Sequence, residues 1–182
     1  MHNEEAVSRI ERSIFLFENR LTKVIAVRNS PKIDLAGLSL GPFEEGIEYE
    51  VKFWIADELE KTGIVRLKEE TLTAPRLYQI LHKERIQPAL DLSQLPEDFY
   101  PRIRRLVDEL KRSSKSSPEK MREYENAQKL SKDIINCRLK KIVSLASTPG
   151  QKSQALRNLT PEELYLYERL EKIISDWRSM IL

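Results

Sequence analysis

Glycine, histidine and cysteine are all scarce in this sequence, and each shortage excludes a class of function. Only five of the 182 residues are glycine, and none sits in a phosphate-cradling loop followed by Lys and Ser or Thr. The two histidines, His2 and His82, lie far apart, and no His/Cys/Asp group has metal-ligand spacing. His82, flanked by Lys83 and Arg85, reads as a surface residue. The single cysteine, Cys137, excludes an internal disulfide framework and fits a reducing compartment. It falls on an apolar stripe, so it reads as a packed thiol and not as a nucleophile. No apolar run exceeds four residues, as in Ile14 to Phe17, far short of a bilayer span. Glutamates precede that run and no small-residue cleavage site follows it, so it reads as core helix and not as an export signal. The expectation is a protein that is no enzyme, with no catalytic residues, cofactor, metal or membrane partner.

What is present is apolar periodicity and charge. Hydrophobic residues make up 40% of the chain and charged ones 33%, the balance of a helix-rich globular protein. The net charge of +2 conceals an asymmetry: residues 1–70 hold 10 Lys/Arg against 14 Asp/Glu, residues 71–182 hold 21 against 15. An acidic front and a basic back suit either nucleic-acid contact by the second half or attraction between subunits.

The front half opens with a helical stripe, Val7, Ile10, Ile14 and Phe17. A strand over Lys23 to Val27 follows, and Lys32 to Leu35 is placed to pair with it. Three glycines then punctuate residues 37–46. From Ile47 to Phe53 apolar and charged residues alternate as on a strand, and from Trp54 the spacing turns helical until Gly63. Trp54 is expected in the core with Phe43, Phe53 and Leu59. A last strand covers Ile64 to Leu67. The carboxylates Glu44, Glu45, Glu48 and Glu50 read as a solvated strand face.

The back half is helical. Thr73 caps a helix that Pro88 ends, and a second helix carries Ile103, Leu106, Val107 and Leu110 on one face. A third, about Pro118 to Ser147, has two stripes: Tyr124, Ala127, Leu130, Ile134 and Cys137, then Ile135, Leu139, Ile142 and Ala146. A surface helix needs only one stripe, so this one is expected to be central. The fourth starts at Thr160-Pro161-Glu162-Glu163, which has a cap, Pro at the first helical position and Glu three residues after the cap. The fold class is therefore α+β, predominantly α, with a helix and small β-rich domain over 1–70 and a helical bundle over 71–182.

Two surface sites are expected. The run Arg102, Arg104, Arg105, Lys111, Arg112 and Lys115 is opposed only by Asp108 and Glu109, and forms a candidate patch for phosphates or an acidic partner. It lacks a base-reading or base-stacking motif. On the last helix, Leu164, Tyr167, Ile174 and Trp177 are assigned to the core, which leaves Leu166, Leu170, Ile173 and Met180, with Tyr165 beside them, for a subunit interface.

The stretch "KIDLAGLSLGPFEEGIEYEVKFWIADEL" resembles the small β-domain of the GINS family, through Gly41, Pro42, Phe43, Glu50, Val51, Trp54, Ala56 and Leu59. The helical half is similar too, in "LPEDFY", "RLKKIVSLA" and "LTPEELYLYERLEKIISDW", with Phe99, Tyr100, Arg138, Lys141, Ile142, Glu163 and Tyr167 at matching places. The resemblance covers about residues 22–181, and the order of the two domains matches the PSF-two/PSF-three branch. It departs from the family at Lys52, where Pro is frequent, and in its long first helix. It implies structural roles for Gly41, Pro42, Phe43, Trp54 and Arg138. It further implies a non-catalytic scaffold in DNA replication: a heterotetramer with a paralogous GINS subunit, two plus two in the archaeal type, which binds the MCM helicase and a RecJ-like replication protein. The location it implies is cytoplasmic, at the nucleoid in an archaeon. The alternative from the residues is a nucleic-acid-binding regulator whose basic helices 101–115 grip a phosphate backbone, with the β-module as a wing.

Overall fold

The computed structural model describes residues 2–35, 37–69, 71–148, 150 and 153–181. They form two compact units, residues 1–71 and 72–182.

The first unit runs α1 (His2–Asn19), β1 (Leu21–Ala26), β2 (Ile33–Leu35), β3 (Leu38–Leu40), β4 (Glu48–Lys52), α2 (Phe53–Lys61) and β5 (Val65–Leu67). Strand β1 lies between β4 and β5 and is antiparallel to both, so Val24 faces Tyr49 on one side and Leu67 on the other. Thr22, Val24 and Ala26 point inward while Leu21 and Lys23 face solvent, the alternation of a half-buried strand. Residues 33–35 do not pair with β1 as expected. They close a hairpin with β3, because a partner two residues away costs less chain entropy than one further back.

Gly41 holds φ +79°, and a Cβ there would meet the Phe43 ring and amide at 3.0 Å. Only glycine fits that turn. The Gly41–Pro42 peptide is cis. Phe43 is buried, exchanges backbone hydrogen bonds of 2.8 and 2.9 Å with Ser30, and meets Tyr49 edge-on at 4.9 Å. Of the apolar stripe on α1, Phe17 is buried, Ile14 half-buried and Ile10 exposed; Val7 lies outside the residues whose side chains are described.

Strand β4 passes into α2 with no loop. Lys52 is still extended, and the next amide, Phe53 N–H, donates to the Arg20 carbonyl at 2.9 Å. One orphan donor of the helix start is thereby satisfied by the strand's neighbour. The Phe53 ring packs on Phe17 at 4.4 Å between centroids, tilted by 45°, and the Arg20 guanidinium lies over both while pairing with Glu69. The helix closes with Gly63 N–H on the Glu60 carbonyl at 2.9 Å and Ile64 N–H on Leu59 at 3.0 Å, the two bonds of a Schellman end, with Gly63 at φ +70°.

Trp54 is not a core residue: it is 37% exposed, whereas Phe53 is 6% exposed. The helix begins one residue earlier than the alternation suggests. At about 100° per residue, Trp54 then sits opposite the arc shared by Ile55, Ala56 and Leu59. Phe53→Ala should therefore destabilise this unit by roughly 3–5 kcal/mol, and Trp54→Ala by under about 0.5 kcal/mol. In a Trp177→Phe background, acrylamide should quench the remaining Trp54 fluorescence in the folded protein.

The second unit contains α3 (Ala74–Ile86), α4 (Phe99–Ser113), a 3-10 turn (Ser114–Ser116), α5 (Pro118–Ser147), the short α6 (Ser153–Arg157) and α7 (Pro161–Ile181). The sequence pattern does not announce α6. Helices α3, α4 and α7 all pack on α5, as its double patterning predicts. Thr73 occupies the cap position of α3 without a side-chain hydrogen bond, whereas Ser117 caps α5 through Lys120 N–H at 3.3 Å. Thr160 and Glu163 form a reciprocal capping box: Thr160 N–H donates to the carboxylate at 3.0 Å and Glu163 N–H to the hydroxyl at 3.4 Å.

Two apolar clusters line α5. Leu77, Leu81, Phe99, Ile103, Leu130 and Ile134 form one, and Leu92, Ile142, Leu145, Ala146 and Tyr167 the other. Between them, at Arg138, lies a buried polar network. Arg138 uses all five of its N–H donors. Nε and one terminal nitrogen grip the two oxygens of Glu163 side by side, the second at 2.7 Å. The same nitrogen reaches the Asn158 carbonyl at 3.0 Å, and the other bonds Glu84 and the Ser93 carbonyl. Lys141 fills its three donors with the Glu84 carbonyl at 2.7 Å, the Glu84 carboxylate at 3.1 Å and the Asp91 carbonyl at 2.8 Å. Tyr100 donates its hydroxyl to Glu163 at 2.6 Å.

The network is charge-neutral, two cations against two carboxylates, which allows it to stay ionised away from water. Burial pushes the Glu84 carboxyl up, but hydrogen bonds from Ser93 and Lys141 and the charges of Arg138 and Lys141 together hold it below its ordinary 4.5. Burial alone would lower Arg138; bonding to Glu163 and the charges of Glu163 and Glu84 raise it instead. Burial, then Glu163, push the Tyr100 hydroxyl far up, so it remains a neutral donor.

Arg138→Met leaves two buried carboxylates with one cation and should cost roughly 3–5 kcal/mol. Arg138→Lys should also destabilise, because an ammonium supplies three donors where the planar fork supplied five. Urea melts followed by helical circular dichroism would measure both. Since a depressed carboxyl stabilises the fold above its unfolded value and loses that contribution as pH falls through its native value, the stabilisation from Glu84 should be present at neutral pH. The wild-type midpoint should then decline below about pH 4.5.

Candidate interaction surfaces

Helix α7 carries an extended apolar face. Arg138–Glu163 fixes its start beside the last third of α5, and Tyr167, Leu166, Leu170 and Ile174 then pack with Ile142, Leu145 and Ala146. Further on, Arg178 donates to the Ser147 carbonyl at 2.7 Å, so the two helices run in the same direction. Past the anchoring pair α5 has nine residues left and α7 eighteen, which carries α7 on the order of 13 Å further at about 1.5 Å per residue.

The apolar stripe of α7 does not stop where the core does. Ile173 is 62% exposed, Trp177 59%, Met180 75% and Ile181 66%. These lie on or beside the arc that carries Leu166, Leu170 and Ile174 inward, so one broad stripe is covered over its first half and bare over its second. This corrects the two-stripe reading. Of the five expected interface residues, Ile173 and Met180 are exposed, Leu166 and Leu170 pack into the core, and Tyr165 is half-buried with Arg169 over its ring at 5.8 Å. Trp177, assigned inward, faces solvent because the core ends before the helix does; Leu164, also assigned inward, is exposed at the start of the helix because it lies outside the arc of Leu166, Tyr167, Leu170 and Ile174.

A second apolar ridge runs along α5. Ile135, Leu139 and Val143, one helical turn apart, are each about two-fifths exposed. Cys137 is half-buried.

The basic stretch splits in two. Arg102 pairs with Asp98 at 2.8 Å and Arg105 with Glu109 at 2.7 Å, both one turn away along α4. Arg104, Lys111, Arg112 and Lys115 are exposed. The six cations therefore do not form one patch; carboxylates already hold two of them.

The acidic strand face is solvated as expected. Glu44, Glu45, Glu48 and Glu50 are exposed, and a hydrogen bond and the charge of Lys68 hold the Glu48 carboxyl below its ordinary value. Among the described residues, no group of three or more His, Cys, Asp or Glu is placed to hold a metal, and no helix is long and apolar enough to cross a membrane. The remaining family-motif positions are structural: Gly41 and Pro42 form the turn that seats Phe43, and Arg138 sits at the centre of the helical unit.

Residues 71–182 match the family model described as Sld5, GINS complex protein helical bundle domain. The chain is also 28% identical over 154 residues to the human DNA replication complex GINS protein PSF2, covering 82% of this chain and 79% of the human one. The family match contains α3 to α7 and with them every member of the Arg138 network. The chain belongs to the GINS family and, within it, is similar to PSF2.

Proposed function

We propose that this chain is a non-catalytic scaffold subunit of a GINS-type heterotetramer in DNA replication, assembled with a paralogous GINS subunit, two plus two in the archaeal manner. On this reading the assembly engages the MCM helicase together with a RecJ-like protein at the fork. One observation carries the scaffold role: the apolar stripe of α7 continues bare for about two turns beyond the core. A contiguous apolar face of this kind marks a protein interface. The ridge Ile135–Leu139–Val143 supplies further area of the same chemistry. The strongest cluster of ionisable groups, around Arg138, is fully hydrogen-bonded within the unit, which is a structural use of charge.

The test is co-purification with the paralogous subunit. Each aliphatic or aromatic side chain fully buried contributes roughly 1.5–3 kcal/mol, so Ile173→Asp with Trp177→Asp should weaken assembly roughly 100-fold or more. The isolated variant should keep its helical circular dichroism, because both side chains are exposed. Lowering the salt concentration should not restore the complex, since the lost term is apolar. Assembly unaffected by this pair would remove α7 from the interface, and failure of the intact chain to co-purify with any paralogue would remove the scaffold reading.

A further inference from the structure

We infer that the outer face of α4 and the turn after it form a sequence-independent binding surface for the phosphate backbone of DNA, separate from the apolar faces that serve protein assembly. Arg104, Lys111 and Arg112 lie on the side of α4 that points away from Ile103, Leu106 and Leu110, and Lys115 follows in the 3-10 turn. All four are exposed, and Asp108 is the carboxylate among them. From Arg104 to Lys115 the surface extends about 16 Å at roughly 1.5 Å per residue. That length follows about five base pairs of a duplex, with a net charge of +3 facing it.

The composition of this face separates a phosphate ligand from an acidic protein. Protein interfaces are built on an apolar centre with a polar rim. Here no exposed large apolar side chain lies anywhere between Leu90 and Met121, whereas α5 and α7 present such residues in rows. A face with charge and no apolar centre gains little from docking a folded protein. A phosphate backbone asks for nothing else, because its binding comes from displaced counterions. Arg102 and Arg105 do not contribute, since their guanidiniums are held by Asp98 and Glu109.

The experiment is fluorescence anisotropy of the full chain with a labelled random-sequence duplex and a single strand of equal length, titrated from 50 to 200 mM salt. About three neutralised phosphates predict a slope of log Kobs against log salt near −3 for the duplex. Replacing Arg104, Lys111, Arg112 and Lys115 together by Ser should lower duplex affinity at 50 mM salt at least tenfold and flatten the slope. The Arg104→Lys, Arg112→Lys variant should retain both, and sequence changes in the duplex should alter neither. If the fourfold variant lost helicity, Lys111→Ser with Lys115→Ser should still remove about two units of slope. An unchanged slope in these variants would overturn the assignment. So would polyglutamate that competes at the same charge concentration as the duplex, or single-strand binding that is insensitive to the substitutions. None of these readouts involves α7, so they stand apart from the co-purification result.

Discussion

The Arg138 guanidinium is the point on which the helical unit is organised. Its partners come from α3, the 88–98 connector, the segment before α7 and α7 itself, while Tyr100 of α4 reaches the same carboxylate. Apolar clusters on either side bring these elements together but tolerate sliding, since dispersion contacts have little direction. A planar fork that meets two carboxylates and two carbonyls does not. The network thus sets which turn of α7 lies against which turn of α5. It thereby fixes how much of α7 is covered, and every surface described for that helix follows from this register.

The first unit uses a smaller version of the same device. Arg20 lies across Phe17 and Phe53 and pairs with Glu69, which also accepts the Thr22 hydroxyl at 2.7 Å. Here too a cation ties together residues distant in sequence, at the place where a strand becomes a helix without a loop. In both units apolar burial supplies the driving force, and a charged group selects one arrangement among several similar ones.

Element type was legible wherever periodicity ran for several turns. The long α5 and the strand before α2 were visible in the spacing of apolar residues, and the capping box of α7 in the order Thr160-Pro161-Glu162-Glu163. The failures occurred where one residue decides. A helix starting at Phe53 and not at Trp54 keeps Phe53 inward but turns Trp54 outward, and nothing in the alternation distinguishes the two starts. On α7, both arcs looked like stripes because the sequence does not state where the neighbouring helix ends. Glu84 carries no local sign of burial: its partner is Arg138, 54 residues away, and such a pairing has no period. The intrahelical partners of Arg102 and Arg105, by contrast, stand four residues away in the sequence, and their spacing alone would have divided the basic run.

The overhang of α7 bears on how a cell must handle this chain. A subunit that has just been made carries Ile173, Trp177, Met180 and Ile181 in water until something covers them. Exposed apolar side chains are what chaperones hold and quality-control proteases follow, and modest energetic differences shift abundance severalfold. On the scaffold reading, the same two turns that complete an assembly also mark an unassembled copy for removal. The level of this chain would then track that of its partner without any dedicated regulator.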